Sequence, residues 1–218
     1  MRPWLFAGAI VVALGLTLTA IAHTPRNLFV DAPPPVADMA SPFVKVERER
    51  GHGSGVHIGS GYFITASHVT GGASEVILRT SQGDTQKGTV LWENKQYDIA
   101  LVLAKHPERF AAAELSCRTA SVGEDIRTEG NPLDIGAVTT WGRIAGGQRK
   151  AHNWSEILVT DATTVMGQSG GAVLDKDNRV IGIVVGVYAA PMGFGSSLTG
   201  YGIVVPGSVV CRLLGRAA

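Results

Sequence analysis

The feature that most constrains the fold is a series of short apolar runs separated by glycine, asparagine or aspartate. The chain has 28 glycines, and no long helical pattern interrupts the series, whose runs cover 43–46, 55–58, 62–65, 76–78, 99–103, 125–128, 138–144, 157–160, 172–174, 180–187 and 202–205. Short apolar runs bounded by turn residues are typical of strands. About six strands in each half predict an all-β fold with two six-stranded antiparallel barrels.

The same reading divides the chain into segments. The folded domain is expected over 43–214, with the first barrel at about 43–112 and the second at about 117–206. Residues 106–116 would connect the barrels, and 209–214 would form a short closing helix.

The first residues have a different character. No charged side chain occurs from Pro3 to Ala22. Residues 1–22 are therefore predicted to form a hydrophobic helix. About 20 apolar residues are enough to span a bilayer, but the small residues at the end of the run also fit a signal peptide cleavage site. Both alternatives stay open, and both place the rest of the chain outside the cytoplasm: periplasmic, secreted or held by one transmembrane anchor. Residues 23–42 contain five prolines and are predicted to be an extended linker.

Composition excludes some classes of protein. The net charge is +1 and no long basic run occurs, which argues against a nucleic-acid binder. The two cysteines, Cys117 and Cys211, lack the neighbouring Cys or His residues of a metal site. We therefore expect no bound metal.

One glycine-rich segment has the composition of a catalytic turn. Ser169 lies in Met166-Gly167-Gln168-Ser169-Gly170-Gly171. A serine hydroxyl becomes a nucleophile when a base accepts its proton, and acyl transfer also needs N–H groups directed at the developing oxyanion. Glycines on both sides let the N–H groups of Gly167 and Ser169 converge. Taken alone, the pattern is equally typical of a flexible Gly/Ser turn.

The order of residues along the chain distinguishes two hydrolase folds. The segment also matches the G-x-S-x-G elbow of α/β-hydrolases, which need a histidine after the serine. No histidine follows Ser169. The chain has six histidines, His23, His52, His57, His68, His106 and His152. Among these, His68 is the best candidate base, since it follows a β run that ends in the small residues Ala66 and Ser67.

The best candidate for orienting this base is Asp98. It opens the apolar run 99–103, where a buried carboxylate is costly without a partner. An imidazole N–H would be such a partner. A single aspartate in this position is otherwise most often a turn cap.

Together these segments resemble the trypsin-like serine peptidases, and most of all their HtrA/Deg branch. The resemblance rests on 53–56, 65–69, 97–102, 130–132 (Gly-Asn-Pro), 167–173, 180–183 and 201–206. It implies a chymotrypsin-like fold with the active site between the barrels. It also implies His68 as general base, Asp98 as its orienter, Ser169 as nucleophile, and the N–H groups of Gly167 and Ser169 as the oxyanion hole.

Departures from the family pattern qualify this resemblance. Ser67 replaces the usual alanine before the histidine, and Gln168 replaces the usual asparagine before the serine. Because Gln168 is not the aspartate that digestive trypsins pair with a freed amino terminus, activation by N-terminal clipping is not expected. No PDZ-like pattern follows the protease-like segment, which puts the regulated assembly typical of many HtrA proteins in doubt.

The resemblance also implies a substrate pocket and a disulfide. Thr163 lies six residues before Ser169, where trypsins carry an acid, and the apolar strand with Val184, Val185 and Gly186 would form the opposite wall. We therefore expect a preference for small or medium apolar side chains before the scissile bond. In trypsins a disulfide ties the inter-barrel connection to the C-terminal helix, which implies pairing of Cys117 with Cys211.

The sequence thus predicts an exported serine endopeptidase without metal or organic cofactor, acting on proteins or peptides. The alternative is a protease-fold binding or chaperone module with little turnover. Membrane contact is expected through residues 1–22 if they are retained, and the oligomeric state is left open.

Overall fold

The computed structural model describes residues 41–151 and 153–215. The predicted hydrophobic helix at 1–22 and nearly all of the linker at 23–42 lie outside these residues. Across the described ranges, no helix is long and apolar enough to cross a membrane.

Twelve strands and two α-helices make up the regular structure of the described residues, together with two short 3-10 turns. The first six strands are β1 (Phe43–Arg48), β2 (Gly51–His57), β3 (Tyr62–Thr65), β4 (Glu75–Arg79), β5 (Thr85–Asn94) and β6 (Ile99–Ala104). The next six are β7 (Asp125–Gly130), β8 (Val138–Ala151), β9 (Trp154–Thr160), β10 (Ala172–Leu174), β11 (Val180–Met192) and β12 (Gly195–Pro206). The helices are α1 (Ser67–Thr70) and α2 (Gly207–Leu213), and the 3-10 turns are Pro107–Arg109 and Pro132–Asp134.

Each set of six strands closes into an antiparallel barrel. The order is β1-β2-β3-β6-β5-β4 in the first barrel and β10-β11-β12-β9-β8-β7 in the second. The prediction of two six-stranded antiparallel barrels is confirmed. The sequence pattern missed β5, and it predicted β8, β11 and β12 shorter than they are.

The barrels are closed around aliphatic and aromatic side chains. Fully buried examples are Phe63, Ile64 and Leu78 in the first barrel, and Ile181 and Ile183 in the second. Alternate residues of β1 and β4 point into the barrel, which is the period-2 pattern of a strand with one buried face. A closed barrel leaves no unpaired strand edge and gives a rigid base for the loops above it.

The connection between the barrels, residues 105–124, is linked covalently to the C-terminal helix. Cys117 and Cys211 form a disulfide across 94 residues of sequence, the pairing that the resemblance implies. Cys211 lies on α2 and is fully buried. The helix therefore covers the end of the second barrel and holds the connecting segment in place.

Candidate active site

The candidate base and its orienting acid are in direct contact. His68 lies on the four-residue helix α1, directly after β3, and Asp98 directly precedes β6. His68 Nδ1 is 2.6 Å from Asp98 Oδ2, and the backbone N–H of His68 donates to Asp98 Oδ1 over 2.9 Å. The carboxylate thus holds both the ring and the main chain of His68.

Asp98 has an unusual backbone conformation. Its φ is +56°, a left-handed value that Asp and Asn tolerate better than other non-glycine residues. Its carbonyl accepts the N–H of Ser67 over 3.1 Å. Such conformations persist where the surrounding contacts enforce them, and they cluster at functional sites.

A residue that the sequence did not single out also contacts this carboxylate. The indole N–H of Trp154 donates to Asp98 Oδ2 over 3.4 Å. The same ring packs on β11, since a Cβ atom at Gly186 would lie 3.2 Å from Trp154 Cη2. No pattern in the sequence pointed to Trp154, because β9 reaches Asp98 only through the packing of one barrel on the other.

Ser169 lies in the loop between β9 and β10, at the first barrel's surface. Its carbonyl accepts the N–H of Ser54 on β2 over 2.7 Å. Ser169 and His68 line one cleft of about 640 Å³, together with Asp98, Trp154 and Gly186. No hydrogen bond joins His68 to the Ser169 hydroxyl in the structure, both residues being among those it describes. Such bonds often tighten only when substrate is bound.

The loop around Ser169 is held by its carbonyl groups. Val165, Met166, Gly167, Gln168 and Ser169 each accept a hydrogen bond through the backbone oxygen. In contrast, the N–H groups of Gly167 and Ser169 have no acceptor within the described residues. Because the Met166 carbonyl accepts from Leu133 over 2.9 Å and no peptide of the described chain is cis, the Gly167 N–H points away from Leu133. The assignment of both N–H groups to an oxyanion hole stays a prediction.

Two positions in this loop require glycine, because their backbone has a positive φ and because no space is left for a side chain. Gly167 has φ +93°, and a Cβ atom there would lie 2.6 Å from the Asn131 carbonyl. Gly170 has φ +87°, and its Cβ would lie 2.0 Å from the Ser54 carbonyl. Neither position can accept a side chain without movement of the backbone.

Ser54 joins the loop to the first barrel and is another residue whose role the sequence did not indicate. Its buried hydroxyl donates to the Gly167 carbonyl over 2.7 Å and accepts the Asn131 N–H over 2.8 Å. The Gly-Ser-Gly context was part of the family resemblance, but the pattern alone does not assign a partner to the hydroxyl.

Gln168 is folded into the loop. Its side chain is buried and its Oε1 accepts the Val165 N–H over 2.7 Å. This contact closes the turn before Ser169 from inside the loop, without any charged partner.

The remaining histidines have other environments. His57 is buried in the first barrel, stacked on Phe63 at 4.7 Å, with Nδ1 2.8 Å from the Ala111 carbonyl and Nε2 accepting from Gly61. His106 lies near Glu108 in the inter-barrel connection. His52 lies beside the Ser169 loop, where its Nε2 is buried without a partner in the described chain. His23 and the side chain of His152 lie outside the described residues.

The predicted pocket residues are divided between the cleft and its surroundings. Val185 and Gly186 line the cleft with Ser169. Val184 is buried in the core behind it, and its carbonyl accepts the Gly170 N–H over 2.7 Å. Thr163 is exposed, and its carbonyl accepts the Thr140 hydroxyl. The role of Thr163 in specificity stays a prediction.

The described residues do not form a set of metal ligands. Within 41–151 and 153–215, no group of three or more His, Cys, Asp or Glu residues is arranged to hold a metal ion. What the cleft contains is a serine and an imidazole held by a carboxylate.

Comparisons with known proteins agree with this geometry. Residues 53–183 match the family described as trypsin-like peptidase domain. Over 167 residues the chain is 30% identical to the periplasmic serine endoprotease DegP of Salmonella typhimurium, a match that covers 74% of this chain and 34% of DegP. The chain therefore spans about one third of the length of the curated relatives it matches.

Solved structures show the same fold. The HtrA-type protease AlgW, solved with a tripeptide, has a TM-score of 0.68 at 24% identity, over 81% of this chain and 60% of AlgW. The serine endoprotease from Yersinia pestis has a TM-score of 0.68 at 25% identity, over 81% of this chain and 62% of that one. With a family match over more than half of its length, a chymotrypsin-like fold and HtrA-type relatives, the chain belongs to the trypsin-like peptidase domain family.

Proposed function

We propose that this protein is a serine endopeptidase that cleaves proteins or peptides outside the cytoplasm through an acyl-enzyme. The observation that carries the proposal is the 2.6 Å contact between His68 Nδ1 and Asp98 Oδ2 in the cleft that also contains Ser169. The named serine endoproteases among its relatives support the reaction class.

In the proposed mechanism, Ser169 Oγ attacks the scissile carbonyl while His68 Nε2 accepts its proton. Asp98 keeps Nδ1 protonated and the ring oriented, and its negative charge stabilises the imidazolium that forms. The N–H groups of Gly167 and Ser169 receive the oxyanion, and His68 then gives the proton to the leaving amine. Water then attacks the acyl-enzyme while His68 accepts its proton, and His68 gives this proton to Ser169 Oγ as the bond to the acyl group breaks and the acid product leaves.

The proposed preference is for small or medium apolar side chains before the scissile bond. Val185 and Gly186 give one side of the cleft next to Ser169, and the Trp154 ring beside Gly186 adds an apolar surface. Turnover of a peptide series that varies only this residue tests the preference. Faster cleavage after Arg than after Val would contradict it.

The proposed location rests on the uncharged segment 3–22 and on the periplasmic relatives. Whether this segment is removed or anchors the protein is tested by the mass of the mature protein. Retention of residues 1–22 together with a membrane-bound fraction would establish the anchor.

The decisive experiment is labelling with a fluorophosphonate probe. We expect wild type to be labelled and Ser169→Ala to be unlabelled. His68→Ala should reduce peptide cleavage by about 10³-fold or more, because the serine loses its base. A wild-type protein that folds but takes no label would contradict the proposal and favour the binding or chaperone module.

A further inference from the structure

A second cleft adjoins the catalytic one on the surface of the first barrel. Its volume is about 1110 Å³, and it lies between the β1–β2 hairpin and the segment that runs from α1 into β4. The two clefts share Gly71 and Gly72, which follow the helix that carries His68. The second cleft also includes His52, whose Nε2 would lie 2.9 Å from a Cβ atom at Gly167. The second cleft therefore adjoins the catalytic one at Gly71 and Gly72, and His52, which lines it, packs against Gly167.

This arrangement lets the second cleft receive the part of a substrate that follows the scissile bond. A bound peptide must cross Ser169 with its scissile carbonyl near the free N–H groups of Gly167 and Ser169. Val185 and Gly186, the proposed walls for the side chain before the scissile bond, line the catalytic cleft, whereas the second cleft is lined by the first barrel. An extended peptide that starts at β11 and passes Gly167 thus enters the second cleft on its leaving-group side.

Most charges around this cleft are neutralised by neighbours. Glu47 pairs with Arg79 at 2.9 Å and with Lys45 at 2.7 Å. Glu75 pairs with Lys87 at 3.0 Å. These contacts leave the groups on the β1–β2 turn as the charges available to a ligand.

Glu93 and Lys95 line the catalytic cleft itself, and among the charged groups of the β1–β2 turn it is Arg48 that contacts a residue shared by the two clefts. Its guanidinium packs on the backbone of Gly71, where a Cβ atom would lie 2.5 Å from Nη1. No ion pair or side-chain hydrogen bond of Arg48 occurs within the described residues. Arg50 and Glu49, which are exposed on the same turn, also lack such partners there. On this turn two cations stand against one anion, and Arg48 is the cation of the turn that contacts Gly71, where the two clefts meet.

We infer that Arg48 selects substrates with an acidic side chain among the first three residues after the scissile bond. This inference rests on the proposed peptidase function and adds a specificity to it. An unpaired guanidinium presents a planar set of donors that fits a carboxylate. Because the group is exposed, its contribution is modest and falls as salt increases.

The experiment compares peptides that are identical up to the scissile bond and carry Asp, Ala or Lys at each of the next three positions. For wild type at low salt, kcat/KM should be about two- to fivefold higher for Asp than for Ala at one of these positions. Arg48→Gln should remove the difference, and Arg48→Glu should reverse it in favour of Lys. The matched control is Arg109→Gln, which removes the same charge from the inter-barrel connection, away from both clefts.

The outcomes separate the inference from the function on which it rests. A wild-type protein that takes the fluorophosphonate label but cleaves the Asp and Ala peptides equally would overturn the inference alone. A preference for Asp that survives Arg48→Gln would also overturn it, and so would a preference that Arg109→Gln removes to the same extent. A wild type without labelling would overturn both the inference and the peptidase function.

Discussion

At the scale of single residues, Asp98 combines a left-handed backbone with three donors. Its carboxylate receives the N–H of His68, the imidazole Nδ1 and the indole of Trp154. A buried carboxylate is stable only when its oxygens are satisfied. Trp154 serves this requirement, and its ring also packs on Gly186 at the substrate side of the cleft. We therefore propose that Trp154 positions both Asp98 and β11, the strand that carries Gly186.

Trp154→Phe separates these two roles. The phenyl ring keeps apolar contact with Gly186 but cannot donate to Asp98, so kcat should fall about two- to tenfold, the effect of one hydrogen bond, with little change in KM. Trp154→Ala removes the ring as well and should raise KM. Steady-state kinetics with one peptide measures both quantities. The control is Trp141→Phe, at an exposed position; equal kcat for wild type and Trp154→Phe would show that the indole contact has no catalytic effect.

At the scale of elements, β5 is the strand that the sequence pattern does not predict. The β6 sequence Ile-Ala-Leu-Val-Leu-Ala is almost entirely buried, whereas β5 buries only Gly88 completely and carries polar side chains at its start. A strand exposed along much of its length lacks the apolar signal that sequence reasoning uses. Likewise, β11 and β12 extend into an exposed hairpin, whose pairing depends on the partner strand rather than on local pattern.

The sequence indicates those residues of the site whose side chains carry reactive groups. His68, Asp98 and Ser169 carry reactive groups at a recognisable order and spacing, and the fold places them in one cleft. Ser54 and Trp154 act through contacts between elements that are far apart in sequence. Their partners, Gly167 and Asp98, follow only from the packing of one barrel on the other.

Ser54→Ala tests the contact between β2 and the Ser169 loop. The change leaves the Gly167 carbonyl and the Asn131 N–H without the hydroxyl that both use. An unsatisfied buried group costs about 1–3 kcal/mol, so we expect lower stability by chemical denaturation. We also expect a larger fall in kcat than in 1/KM, because the loop that carries the proposed oxyanion donors is no longer held.

A second buried hydroxyl provides the control for this prediction. Thr160 on β9 also makes two hydrogen bonds, with Arg143 and Ala162, and is fully buried. Thr160→Val should reduce stability by a similar amount with kcat preserved. If Ser54→Ala and Thr160→Val reduce kcat equally, the loss reflects general destabilisation and not the position of the loop.

At the scale of the whole molecule, both barrels line the candidate active-site cleft, and residues 105–124 join them. The connecting segment is held at two neighbouring points, by the disulfide of Cys117 with Cys211 and by Arg118, whose guanidinium reaches Asp175 at 3.0 Å. Asp175 lies directly after β10, and its side chain is 2% exposed. It also accepts the backbone N–H groups of Asp177 and Arg179. This carboxylate thus links the turn after β10 to the connection between the barrels.

The charge of Asp175 makes this link dependent on pH. Burial acts to raise the pKa of its carboxyl group, but the Arg179 N–H and the Arg118 guanidinium outweigh burial and hold the pKa below its ordinary value of 3.8. A carboxyl group with a lower pKa in the folded state stabilises the protein above the pKa of the unfolded chain. That stability is lost as the pH falls through the folded pKa. Asp175→Asn should therefore lower the free energy of unfolding at pH 7 by about 2 kcal/mol, and the difference from wild type should shrink below about pH 4.

Urea unfolding of wild type and variant at several pH values measures this difference, with Asp177→Asn as the matched control. Asp177 pairs with Arg179 and Lys176, but its side chain is 46% exposed, so its replacement should cost less than about 0.5 kcal/mol at any pH. Because Asp175 lies outside both clefts, fluorophosphonate labelling of folded Asp175→Asn should match wild type at pH 7. A cost that stays constant from pH 7 to pH 3 would mean that the substituted side chain acts through packing, and that the ionised carboxylate does not hold the connection between the barrels.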